Sequence, residues 1–255
     1  MATINVLGYP SSAAAYCVGV EQAPAALRDA GLISAMQAAG HRVNDVGDLP
    51  VHRWKPDRDR PMAQNLDEEV NALRGLADAA RSLLVPGERL LVIGGSCTVA
   101  LGLCAAVVRN ETQPHLVYVD RHLDLNTPAS TNEGSLSWMG MAHALGLRGA
   151  AQQLVDLAGH HPLLRPSQLS YLGVDVAAAT AWERNQVEEL ELSLVSQAEL
   201  VSSPAQAAAL AREALPAGPF LVHVDVDVLD FQDAPWPRTS TGGTLAQPWS
   251  SWGWP

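Results

Sequence analysis

The sequence predicts an α/β fold of three layers, with a mostly parallel central sheet between helices on both faces. Three observations lead there. Short apolar runs alternate with stretches of helical period over most of the chain. Three of those runs end in residues suited to chemistry, and parallel sheets place their sites beyond the carboxyl ends of strands. The chain has 255 residues and is 47% hydrophobic, which supports one large core. Residues 1–230 read as a single domain, and 231–255 as an irregular tail rich in Trp and Pro.

The elements follow in order. Ile4 to Leu7 is a first strand. Pro24 to Ala39 is rich in Ala and Leu, with Pro near its start and Gly40 after its end, and reads as one helix. Val43 to Val46 is a short strand, and Gly47 to Gln64 is a polar loop. Leu66 to Leu84 has helical period, stopped by Pro86-Gly87. A strand at Leu90 to Ile93 leads to a helix over Val99 to Val108, then a strand at Leu116 to Val119. Asn126 to Gly134 is a loop, and Met141 to Leu145 a helix. Strands at Leu169 to Val174 and Leu192 to Val195 bracket a helix over Ala181 to Leu190. A helix at Ala205 to Leu215 precedes a strand at Phe220 to Val226. Beyond Phe231 the period is lost and Trp236, Trp249, Trp252 and Trp254 crowd together, so a truncated or frame-shifted end is expected, with the sheet cut short at that edge.

Charge and cysteine content narrow the function. A formal net charge of −11 without a basic block argues against nucleic-acid and acidic-membrane partners. Cys17, Cys97 and Cys104 make no disulfide framework. Neither a leader nor a membrane span is evident. The cytoplasm is the expected compartment.

The chemistry concentrates at three strand ends. Leu90–Ile93 opens into Gly94-Gly95-Ser96-Cys97. Leu116–Val119 runs into Asp120-Arg121-His122-Leu123-Asp124, and Phe220–Val224 into Asp225-Val226-Asp227. If the chain stays extended, Asp120, His122 and Asp124 share one side, as do Asp225 and Asp227. Two like unit charges about 4 Å apart cost about 4 kcal/mol at an effective dielectric of 20. Four clustered carboxylates beside a His and a Cys therefore call for divalent metal.

These runs resemble the arginase/agmatinase (ureohydrolase) family. Gly19-Val20-Glu21-Gln22-Ala23-Pro24-Ala25-Ala26-Leu27-Arg28 is similar to its Gly-x-Glu-x-Gly-Pro-x-x-Leu-Arg segment. Asn44-Asp45-Val46-Gly47-Asp48 is similar to its Asp-x-Gly-Asp loop. Gly94-Gly95-Ser96-Cys97-Thr98 stands for Gly-Gly-Asp-His-Ser. Asp120 to Pro128 stands for Asp-Ala-His-x-Asp-x-Asn-Thr-Pro, and Asp225-Val226-Asp227 for its Asp-x-Asp. The resemblance implies two metal ions, manganese by family habit. It makes Asp120 and Asp225 bridging ligands, with Cys97 and Asp124 completing one ion's shell and His122 and Asp227 the other's. A hydroxide held between the ions would attack a guanidine or amidine carbon, with Asp124 as the acid–base group and Asn126 meeting the substrate. Homo-oligomers are implied by the same analogy.

The departures also carry expectations. Cys97 stands for a His ligand, and its softer sulfur shifts preference toward zinc or iron. Ser96 replaces a supporting Asp, Ser137 a proton-carrying His, and Arg121 a small residue that here is expected to point away. Glu133 replaces a Ser near the substrate's carboxylate and argues against plain L-arginine. His143 reads as a structural residue on a packed or surface helix face, and His223 as flanking core or a supporting residue. The alternative to an enzyme is a non-catalytic, degenerate or truncated homologue.

Overall fold

A computed structural model describes residues 1–229. The expectations for the Trp-rich tail lie outside the described residues.

Every strand pairing in the sheets is parallel. β1 (Thr3–Gly8) lies between β2 (Arg42–Asp48) and β3 (Arg89–Ile93), giving the order β2-β1-β3. β4 (Leu116–Val119), β5 (Leu169–Val174), β6 (Ser193–Ser196) and β7 (Leu221–Val224) form a second group, ordered β6-β5-β4-β7. The expected central sheet is thus, among the described residues, two parallel groups with β3 and β7 as edge strands. In register, Tyr118 of β4 lies opposite Tyr171 of β5 and His223 of β7.

The expected single helix over 24–39 is two: α1 (Ala23–Asp29) and α2 (Leu32–Ala38). Gly31 breaks it, at φ 88°. That left-handed turn suits Gly and stops the hydrogen-bond ladder. Arg28 of α1 ties down the break: it donates to both carboxylate oxygens of Asp45 at 2.8 Å each, and to Asp48 at 2.5 Å.

α3 (Leu66–Leu83) buries Leu66, Val70, Leu73, Leu76, Ala77 and Ala80, spaced as one helical face. Asp67, Glu68 and Glu69 in its first turn complement the helix dipole. α4 (Val99–Arg109) packs closely against it at Gly102. A β-carbon there would lie 2.7 Å from a Leu76 methyl, so a larger residue would make the Leu76 side chain shift. The short helices α5 (Gly140–Ala144) and α6 (Gln152–Val155) follow β4. α7 (Ala181–Glu189) starts from a capping box in which Thr180 and Glu183 satisfy each other's backbone N–H groups. Ser196 and Glu199 do the same for α8 (Gln197–Ser202), and Pro204 opens α9 (Pro204–Glu213). α6 and α8 had no clear sequence period, being four and six residues long.

The main core runs through both strand groups, from Leu7 and Tyr9 through α3 and α4 to Tyr118, Tyr171 and Leu192. Smaller clusters fill the opposite faces, around Val6 and Ile93 and around Val117, Leu172 and Ala211. Helices therefore cover both faces, as the three-layer expectation requires. No helix among the described residues is long and apolar enough to cross a membrane.

Candidate metal centre

The carboxyl ends of β3, β4 and β7 bring Cys97, Asp120, His122, Asp225 and Asp227 together. The means differ from the extended-chain expectation. β4 ends at Val119, and the chain bends at Arg121 and His122. Asp120, fully buried, accepts the backbone N–H of His122 on Oδ1 at 2.7 Å. Asp225 likewise accepts the N–H of Asp227 at 2.9 Å and caps a 3-10 turn over Val226–Val228. Each carboxylate thus folds its own next ligand back toward itself.

The donors form two groups. Cys97, Asp120, His223 and Asp225 each place one donor atom within 4.8 Å of the others, and so do Asp120, His122 and Asp227. Asp120 belongs to both. Cys97 Sγ donates to Asp225 Oδ2 at 3.1 Å. His122 Nδ1 lies 3.0 Å from Asp227 Oδ2 and 3.4 Å from Asp120 Oδ1. Asp225, expected to bridge, falls in the Cys97 group only.

The electrostatics fit a cation. Burial and the neighbouring acids Asp225 and Asp227 hold the Asp120 carboxyl up at about 7. Burial, then Asp124, Asp225 and Asp120, push the Cys97 thiol well above its ordinary value. Burial and Asp227 raise Asp225. Burial disfavours charge on His122, but hydrogen bonds to Asp120 and Asp227 prevail and raise it to about 11. Among the described residues, buried Asp120 Oδ2, Asp227 Oδ1 and His223 Nε2 have no hydrogen-bond partner. Lone pairs buried without donors are costly, and a divalent ion satisfies several at once.

Asp124 stands apart. It joins neither donor group, because the chain turns left-handed there, at φ 52°. Its Oδ2 accepts the Tyr118 hydroxyl at 2.6 Å. Its backbone oxygen accepts the N–H groups of Met141 and Ala142 at the start of α5. Burial, then Asp120, raises its carboxyl well above the usual range. Asn126 is buried, and its Oδ1 accepts from Ser130 and Thr180 at 3.2 Å each.

The substituted positions are also placed. Arg121 reaches Asp175, with Nη2 3.8 Å from its carboxylate. Ser137 is hydrogen-bonded to Ser135 at 2.8 Å, and Ser96 to Thr98 at 2.7 Å. Glu133 is exposed. His143 is fully buried and bonded to the Met139 carbonyl, the structural role expected.

Three residues about the site were not named as ligands or helpers with a set role. His223 shares a face with Asp225, which period-2 spacing signals, and it read as flanking core or a supporting residue. Tyr118 is likewise two residues before Asp120, but an aromatic in a strand reads as packing. Glu69 is completely buried and accepts from Thr98 at 2.6 Å, Tyr9 at 3.3 Å and Ser11 at 3.4 Å. Within an amphipathic helix nothing marked it.

Comparison with known proteins agrees with this geometry. The Arginase family model matches residues 2–244. The arginase of Bacillus subtilis (strain 168) is 28% identical over 198 residues, spanning 78% of this chain and 65% of that protein. The mitochondrial arginase-2 of Oryctolagus cuniculus is 30% identical over 176 residues, 68% of this chain and 49% of that protein. The match thus spans less than two thirds of either relative's length. The native arginase structure from Bacillus caldovelox superposes with a TM-score of 0.79 at 25% identity, covering 92% of this chain and 79% of that one. The Bacillus subtilis arginase structure gives 0.80 at 26% identity, covering 92% and 78%. With the fold, the three strand ends and the match over nearly its whole length in agreement, the chain belongs to the arginase family.

Proposed function

We propose that this chain is a binuclear-metal amidinohydrolase that cleaves a guanidine or amidine C–N bond and releases urea or a substituted urea. The observation that carries this reading is the pair of donor groups meeting at Asp120. Cys97 and Asp225 stand on one side of it, and His122 and Asp227 on the other. Two manganese ions suit the family and the oxygen-rich His122 side, while Cys97 admits zinc or iron. Reduced thiols fit a cytoplasmic setting, and homo-oligomers follow by analogy with the relatives.

Ions held by Cys97, Asp120, His122, Asp225 and Asp227 would acidify water and so supply a nucleophile at neutral pH. Asp124 takes the proton that this water loses and delivers it to the departing amine nitrogen. As the water oxygen bonds to the guanidine or amidine carbon, the carbon–amine bond breaks, and the returned proton leaves with the amine. Tyr118 holds Asp124 in place for both transfers. With Asn126 Oδ1 committed to Ser130 and Thr180, its amide nitrogen is the group that meets the substrate. Glu133 would repel an α-carboxylate, which favours an agmatine-like amine or an N-hydroxyguanidine over L-arginine.

A panel of guanidines and amidines, assayed for urea with manganese- or zinc-loaded protein, tests the reading. Turnover is expected for a substrate without an α-carboxylate. Two bound metals with no turnover of any member would refute it. The second reading, a non-catalytic homologue, has one supporting observation. Ser137, at the place of a proton carrier, is tied to Ser135 instead.

A further inference from the structure

We propose that His223, rather than Asp124, is the fourth protein ligand of the Cys97 ion, making that half of the centre a mixed sulfur, nitrogen and oxygen site suited to zinc. This inference rests on the binuclear reading given above.

Geometry supports it in three ways. His223, in β7, sits two residues before Asp225, which follows the strand in extended backbone, so the two side chains fall on the same face. Its donor lies within 4.8 Å of those of Cys97, Asp120 and Asp225. Its buried Nε2 has no hydrogen-bond partner among the described residues. An imidazole nitrogen closed off from water, beside a thiol and two carboxylates, has the surroundings of a ligand.

The ring is also held in place. His223 lies opposite Tyr118 in the β4–β7 register, and the two rings stack at 4.4 Å with 13° between their planes. The same Tyr118 engages Asp124 through its hydroxyl. One aromatic therefore orients the imidazole by its face and holds the carboxylate by its edge. Asp124 is thus left for proton transfer, with its Oδ2 held by the Tyr118 hydroxyl.

The donor chemistry points to the ion. One thiolate, one imidazole and two carboxylates make a four-ligand set of zinc type. The neighbouring set, Asp120, His122 and Asp227, has no sulfur and is harder. The two halves should therefore differ in metal preference, with zinc on the Cys97 side.

X-ray absorption at the zinc edge of wild-type protein carrying two zinc ions tests this without a substitution. Averaged over the pair, one imidazole per zinc is expected, from His122 and His223, with one sulfur shared between two zincs. Half an imidazole per zinc, or no sulfur, would overturn the assignment. Elemental mass spectrometry of His223→Gln and Asp124→Asn gives a second measure. His223→Gln should lose one of its two zinc ions and keep the one at Asp120–His122–Asp227, whose retention shows that the variant has folded. Asp124→Asn should keep both. The opposite pattern sinks the proposal. Wild-type protein with the full sulfur and imidazole signature that hydrolyses no guanidine or amidine would refute the hydrolase reading and leave the His223 assignment standing.

Discussion

The hydroxyl of Tyr118 and the carboxylate of Asp124 are joined at 2.6 Å, with both groups buried. Six residues separate them, yet a left-handed turn at Asp124 folds the loop back over the strand that carries Tyr118. If Asp124 moves protons, this bond sets where its oxygen points.

Tyr118→Phe keeps the ring that stacks on His223 and removes only the hydroxyl. We expect kcat to fall by about 10–100-fold, the usual cost of losing such a supporting bond, with metal content unchanged. Steady-state kinetics alongside elemental analysis would check it. An unaltered kcat would mean that Asp124 needs no such support.

Asp120→Ala removes the carboxylate common to both donor groups. Loss of both ions is expected, measured after dialysis against manganese or zinc. A variant that kept its full complement would show that the centre is not built around Asp120.

Cys97→His exchanges a soft donor for a borderline one. Titration with manganese should show tighter binding than in wild type. If affinity does not move, the thiol is packing rather than ligating.

Glu69 gives a pH prediction. Burial raises its carboxyl above the ordinary value, against hydrogen bonds from Thr98 and Tyr9 that lower it. The folded protein therefore binds a proton that the unfolded chain has released, between the ordinary carboxylate range and the raised value. Across that window stability falls as pH rises. In Glu69→Gln this loss should be absent, and thermal unfolding over a pH series would show a flatter profile. Parallel profiles would mean that Glu69 titrates normally.

Arg28→Ala should destabilise the fold by about 1–2 kcal/mol, since it removes a two-pronged carboxylate pair and a second acid contact at a partly exposed site. Chemical denaturation would report it, with a shifted midpoint and an unchanged slope. No shift would show that the Gly31 break holds without Arg28.

The strands were legible because buried parallel strands are short apolar runs, and the termini of α3, α4 and α7 because Pro, Gly and capping residues mark them. The break at Gly31 was missed because Ala and Leu on both sides continue a helical composition, and only the backbone angle shows the turn. At the site, residue type and order pointed to Cys97, Asp120, His122, Asp225 and Asp227. How they meet was not legible, since two carboxylates fold back onto N–H groups two residues on instead of following an extended strand. Asp124, expected among the ligands, lies outside both donor groups, and His223 lies inside one. Spacing along a sequence does not reveal a left-handed residue, nor a partner across the sheet such as Tyr118.

The candidate metal centre spans the division of the strands into two groups. Asp120 and His122 follow β4, and Asp225 and Asp227 follow β7, all on the four-stranded side, whereas Cys97 follows β3 on the three-stranded side. An ion gripped by Cys97 and its neighbours would be a rivet across the seam, and chelation would loosen the joint as well as disarm the chemistry. Hydrogen exchange should then quicken along β3 and β7 before it reaches the strands behind them.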